Sequence, residues 1–279
     1  MNGIVNKVVS EKNSVTSLHL IHNSLSTILL DAVQYFPQDL KKIRAESHGL
    51  LFGFPQNNII ECDYVFPVGN VKSRKEDEVE SHPKVDQAVN LAKQIFSTSK
   101  FFGSYHSHPN IELFKGWAEP SNGDTDYVKS NNNNCELIIA IARSSKTDKP
   151  LSLEYRTANA QEYYYNPQVG LHQPPKTIST DYRFQYIYGK FKKYSFEIRA
   201  YAFNGKGLQD MNLYSSEAEV LMRLLEEKID IEKLDTRGVY SVRKMEYDYR
   251  AKHQVSGDKY ERIIGNIDYH ISQLKKQMK

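Results

Sequence analysis

Apolar positions recur along this chain with two spacings, and the switches between them mark out its elements. "SVTSLHLI" (14–21) reads as a strand. From Ser24 to about Arg44 the spacing turns helical, with Leu25, Ile28, Leu29, Ala32 and Tyr35 along one side. Pro37 falls within that span as a stop or a kink. "ESHGLLFGF" (46–54) and "NIIECDYVFPV" (58–68) read as neighbouring strands, and polar "GNVKSRKEDEVESHP" (69–83) as a loop. "KVDQAVNLAKQIF" (84–96) is helical, with Val85, Ala88, Val89, Ala92 and Ile95 on one side. "KFFGSYHSH" (100–108), "CELIIAIAR" (135–143) and "LSLEYRT" (151–157) are strands, and the asparagine run 131–134 is a polar turn. Strands alternating with helices predict an α/β layer arrangement.

A break in composition follows. "NPQVGLHQPPKTIST" (166–180) carries three prolines and few large apolar groups, as a linker or long loop does. Beyond it, "DYRFQYIYGKFKKYSFEIRAYAF" alternates strongly and predicts a hairpin or two strands. Ser216 and Glu219 suit a capping box for a helix over about 217–228. From Lys259 to the end, Tyr260, Ile264, Ile267, Ile271, Leu274 and Met278 repeat with four-three spacing. That spacing serves a helix packed on its own domain, or a coiled-coil seam joining two copies through 259–279.

Composition narrows the picture. Apolar residues at 39% and charged residues at 25% place the chain in the globular class. The net charge of +3 is too small to argue for nucleic acid. One stretch, "RFQYIYGKFKKYSFEIR" (183–199), interleaves basic and aromatic residues in the manner of a single-strand-binding face. Its alternation sets Tyr182, Phe184, Tyr186 and Tyr188 on one side, which fits a core face better. Cys62 and Cys135 are far apart with no Cys-x-x-Cys, so a disulfide framework is not indicated and a cytoplasmic setting fits. The N-terminus has no signal-peptide core, and no apolar run is long enough for a membrane span.

The candidate chemistry lies in "GSYHSHPNIELFKGWAEPSNGDTDY" (103–127). On a strand, His106 and His108 share a face and can converge on one cation. Zinc takes nitrogen and carboxylate ligands at about 2.0–2.2 Å. Asp124, or the nearby Asp126, is placed to add a carboxylate from the first turn of a following helix, with Ser121 as its N-cap. Glu112 and Glu119 are weaker alternatives. Upstream, Glu46 opens an otherwise apolar strand, where a charge needs a reason.

A strand glutamate (Glu46), "HSHP" (106–109) and "SNGD" (121–124) together resemble the JAMM (MPN⁺) metalloprotease family over about residues 14–157. Fifteen residues separate His108 from Asp124, more than that family usually has. The resemblance implies a JAMM/MPN-like α/β (α+β) domain over 1–158, a mixed sheet flanked by helices. A linker (159–180) and a smaller α+β domain (181–279) for substrate or partner recognition would follow. It implies a Zn²⁺ site of His106, His108 and Asp124, with Glu46 as general base and Ser121 as oxyanion donor. The reaction implied is cleavage of the bond after the C-terminal tail of a ubiquitin or ubiquitin-like protein. Phe114 and Trp117 would cover the cleft or touch that modifier. The alternatives are a catalytically silent scaffold of the same family, or nucleic-acid binding through the C-terminal domain.

Overall fold

The computed structural model describes residues 17–36, 45–56, 58–69, 71–74, 79–82, 84–95, 99–130, 133–143, 147–164, 175–178, 182–230, 244–245 and 268–276. Its elements run β1 (Ser17–Leu20), α1 (Ser24–Gln34), β2 (His48–Gln56), β3 (Ile59–Pro67), β4 (Val71–Arg74), β5 (Val79–Ser81), α2 (Lys84–Ile95), β6 (Lys100–Asn110) and α3 (Asn122–Ser130). They continue with β7 (Cys135–Ala142), β8 (Lys149–Asn159), β9 (Gln161–Tyr164), β10 (Lys176–Thr177), β11 (Arg183–Lys192), β12 (Tyr194–Phe203), β13 (Gly207–Ser215) and α4 (Ser216–Glu226). Residues 268–276 are also helical.

Local rules explain most of these elements. The β11–β12 hairpin turns at Lys193, with Phe191 opposite Tyr194. Helix α4 starts where the Ser215 side chain accepts from the Ala218 backbone N–H, one residue before the expected cap. Its Ser216, Val220 and Leu224 are buried at four-residue spacing, and Ala218 is buried as well. The expected polar loop 69–83 contains the small β4–β5 hairpin instead. Helix α1 ends at Gln34 with Tyr35 as its C-cap, short of its expected span, and residues 37–44, Pro37 included, lie outside the described residues. Val89 and Ala92 of α2 pack inward as expected, whereas Ile95 is exposed.

The topology corrects the expected fold class. Strands dominate, and they do not form a helix-flanked JAMM/MPN-like sheet followed by a smaller α+β domain. One mixed sheet runs β10-β9-β13-β1-β3-β2-β6-β7-β12-β11-β8. Strand β13 pairs with β1 in parallel and with β12 antiparallel. Since β12 also pairs with β7, the strands β13-β1-β3-β2-β6-β7-β12 close on themselves as a seven-stranded mixed barrel. Two of those seven lie beyond the proline-rich stretch. Period-two patterning shows that a segment has two faces, but not which strand lies along its edge.

Closure leaves β7 covered on both faces, and all eight of its residues are buried. Leu137, Ile139 and Ile141 face the main core, which also takes Leu25, Ile28 and Ala32 from α1 and Phe196, Ile198 and Ala200 from β12. Burying each such aliphatic side chain contributes about 1.5–3 kcal/mol. Gly103 of β6 is required by this closeness: a Cβ there would meet the Cys135 carbonyl oxygen at 2.2 Å. The opposite face of β7 holds Glu136, Ile138 and Ala140, the side on which the polar site is built. Of the four-three repeat near the C-terminus, Ile271 and Leu274 are buried in this chain, and Lys275 pairs with Glu227 of α4. The repeat's positions at 260, 264, 267 and 278 lie outside the described residues. Among the described residues, no helix is long and apolar enough to cross a membrane.

Candidate metal centre

Strands β2 and β6 run antiparallel, with His48 opposite His106. The pairing continues past the start of β2. Ser107 N–H donates to the Ser47 carbonyl at 3.0 Å, and Ser47 N–H donates to Ser107 Oγ at 2.8 Å. One residue further, this register sets the half-buried Glu46 across from His108. Opposed residues share a face, so Glu46, His48, His106 and His108 lie on one side of the sheet. Ser47 and Ser107, both fully buried, lie on the other.

The third ligand candidate comes from α3. Asp124 N–H donates to Ser121 Oγ at 3.2 Å, and Ser121 N–H donates to Asp124 Oδ2 at 2.6 Å. This reciprocal capping box fixes Ser121 as the N-cap and holds the carboxylate at the helix start. Asp124 Oδ1 lies 3.2 Å from His106 Nε2, and its Oδ2 lies 3.8 Å from His108 Nε2. The two Nε2 atoms are 2.9 Å apart. His106, His108 and Asp124 are thus brought together as one candidate metal-holding group. Asp126 and Glu112 are exposed and stand outside that group, and Glu119 faces Arg199 at 3.8 Å.

The partners of the far ring nitrogens decide the chemistry. His108 Nδ1 is 2.9 Å from the Trp117 carbonyl oxygen, which only accepts, so Nδ1 carries the hydrogen. Trp117 Nε1–H in turn donates to the His108 carbonyl at 2.9 Å. His106 Nδ1 is 2.7 Å from Glu136 Oε1, and Ser104 Oγ–H donates to Glu136 Oε2 at 2.5 Å. Neutral rings held this way turn both Nε2 lone pairs towards each other and towards a carboxylate. A cation between them, a proton or a metal ion, relieves that arrangement.

The electrostatics agree. Burial pulls the His106 pKa down, but the charge and hydrogen bond of Asp124, with Glu136, outweigh it and raise it well above 6.5. Burial and the neighbouring His106 push His108 down to about 4, against Asp124 and the Trp117 carbonyl. Burial lifts Asp124, but His106 and then His108 overcome it and hold its carboxyl well below the usual range. Glu136 is raised by burial, against the hydrogen bonds from His106 and Ser104. The His106 ring thus lies between two carboxylates, Asp124 at Nε2 and Glu136 at Nδ1.

Four-coordinate zinc bonds of about 2.0–2.2 Å give ligand–ligand edges of roughly 3.3–3.6 Å. The two Nε2 atoms, 2.9 Å apart, are closer than such an edge, and the carboxylate offers a different oxygen to each ring, Oδ1 at 3.2 Å from His106 and Oδ2 at 3.8 Å from His108. Two imidazole nitrogens and a carboxylate oxygen with a further position open suit zinc chemically.

Several residues of this site escaped sequence reasoning. His48 is buried beside the group, its Nε2 3.3 Å from the Tyr127 hydroxyl. Asn133, in the asparagine run read as a turn, is buried and donates to Ser104 Oγ at 2.8 Å. Glu136 carried a readable signal, a lone charge in an apolar strand. The insert holding Trp117 packs more firmly than a cleft cover: Ala118 is fully buried, and its carbonyl accepts from the Tyr201 hydroxyl at 2.6 Å. The Phe114 ring lies tilted against Trp117, centroids 4.7 Å apart, and is 54% exposed.

No protein-family profile matches the chain. No curated protein matches it either. Among solved structures it is similar to the solution structure of protein DSY2949 from Desulfitobacterium hafniense. That similarity covers 71% of this chain and 92% of the other, at 15% identity and a TM-score of 0.38, too slight to bear on fold or function.

Proposed function

We propose that the protein is a zinc-dependent hydrolase of JAMM type in its chemistry. It would cut the amide or isopeptide bond that follows the C-terminal tail of a ubiquitin or ubiquitin-like protein. The observation that carries the reading is the pair of Nε2 atoms 2.9 Å apart, each ring held at its other nitrogen, with the Asp124 carboxylate beside them.

Bound zinc would supply a Lewis acid and bring water within reach of deprotonation near neutral pH. His106, His108 and Asp124 would hold it. Glu46, across the sheet from His108, takes a proton from the attacking water and delivers it to the departing amine. The C–N bond breaks, the acyl carbon keeps the water's oxygen, and a lysine amine leaves neutral instead of as an anion. That delivery is the work of a general acid–base, commonly worth about 10²–10⁴ in rate. Ser121 Oγ accepts from Asp124 N–H, so its own hydrogen is free to stabilise the developing oxyanion at the mouth of the site. An extended modifier tail binds well by strand addition. Cys62 and Cys135 are free, buried thiols, in keeping with a cytoplasmic setting.

The test is cleavage of ubiquitin-like conjugates by the purified protein with zinc, with chelator, and by Glu46→Gln. Zinc-dependent cleavage that falls about 10²–10⁴-fold in Glu46→Gln, with zinc binding retained, is expected. Undiminished cleavage by that variant removes Glu46 from its role. Preference for iron(II) over zinc, which the same donor set can hold, would turn the reading away from hydrolysis.

A further inference from the structure

We propose that Glu136 is a positioning residue of the metal centre: through Ser104 and Asn133 it fixes the ring of His106 so that Nε2 is presented to the ion. The inference rests on reading His106, His108 and Asp124 as the metal-binding group.

Glu136 is 1% exposed in a strand whose eight residues are all buried. A carboxylate there is heavily penalised unless something requires it. Holding β6 to β7 does not require it, because these strands already pair in register from Gly103–Cys135 to Asn110–Ala142. What it does is local and directional. Asn133 Nδ2–H donates to Ser104 Oγ at 2.8 Å, Ser104 Oγ–H donates to Glu136 Oε2 at 2.5 Å, and His106 Nδ1 lies 2.7 Å from Glu136 Oε1. With one oxygen held by Ser104 and the other against His106, the carboxylate and the ring are fixed in place relative to each other. Asn133 is itself anchored, its N–H donating to the Val128 carbonyl near the end of α3 at 3.1 Å. The chain of bonds thus joins β6 and β7 to the helix that carries Asp124. A carboxylate on the far nitrogen of a metal-bound histidine also makes that ligand more basic, and losing such a partner typically costs 10–100-fold in metal affinity.

The test is zinc affinity of the full-length protein, measured by chelator competition, with histidine-¹⁵N NMR. Glu136→Gln keeps the shape and removes the charge. It is expected to weaken zinc binding roughly 10–100-fold. It should also shift the His106 Nδ1 proton upfield from the far-downfield position that a short charged hydrogen bond gives in the zinc-loaded wild type. Ser104→Ala leaves the carboxylate and removes its clamp, and a severalfold loss is expected. It carries the test if Glu136→Gln does not fold. Leu137→Ala, which opens a cavity on the core side of the same strand, should lower stability without altering zinc affinity or the His106 signal. Zinc affinities of Glu136→Gln and Ser104→Ala within twofold of wild type, with the proton signal unmoved, overturn the proposal. A wild type that takes up no zinc overturns it together with the hydrolase reading. Zinc binding that depends on Glu136, without cleavage of any conjugate, supports it while defeating the hydrolase reading alone.

Discussion

Asp124→Asn gives the sharpest measure of the site's electrostatics, because the metal-free protein should register it in stability. The carboxylate lies 3.2 Å from His106 Nε2, and both side chains are largely buried, at 16% and 10% exposure. At an effective dielectric of about 20, that separation corresponds to roughly 5 kcal/mol of attraction before desolvation. Removing one partner of a buried pair costs about 3–5 kcal/mol. Asparagine still accepts from Ser121 N–H, so the lower end, about 3 kcal/mol, is expected. The pH dependence follows from the two shifts. Asp124 is depressed in the fold, so its contribution is present above its unfolded pKa near 3.9 and is lost as pH falls through the folded value. His106 is raised, so its contribution is complete below 6.5 and is lost as pH rises through its folded value. Both describe one interaction, so the deficit of Asp124→Asn peaks between about pH 4 and 6.5 and shrinks on either side. Urea unfolding of wild type and variant in chelator, at pH 5.5 and at stepped higher pH, measures it. No deficit at pH 5.5, or one that grows as pH rises, would refute the reasoning.

Two further outcomes are expected. A chain cut after residue 158 loses β12 and β13, which close the barrel against β7 and β1. It should show neither a cooperative unfolding transition nor dispersed amide NMR signals, and a well-folded fragment would contradict the closed-barrel account. Trp117→Phe keeps the carbonyl that holds His108 but removes the Nε1–H donor to the His108 backbone. A stability loss of about 1 kcal/mol in urea unfolding is expected, with zinc affinity lowered less than by Glu136→Gln.

Most of the element boundaries were legible, and the reason is local. The strands around 46–54, 58–68, 100–108 and 135–143 show themselves through side chains that must face a sheet, and β2, β3, β6 and β7 lie there. The ligand candidates were legible for the same reason. A His-x-His pair on a strand and a Ser-x-x-Asp at a helix start place their groups by backbone geometry alone, and these residues do meet. The fold class was misread because the proline-rich stretch 166–180 marks a change in composition, and composition says nothing about edges. β12 and β13 come after it and still complete the ring.

The site divides along the same line. Residue types and short spacings were enough to name the groups that can face an ion, since each depends only on its own strand or helix. Whether they face it depends on who occupies the other end of each ring. Those places are taken by Glu136 from the next strand and the Trp117 carbonyl from the insert, nine residues or more from the histidines they contact. Hydrogen bonds reach across space without leaving a periodic trace in the chain, so these two partners, and the closed ring that brings β7 beside β6, became visible only once the strands were paired.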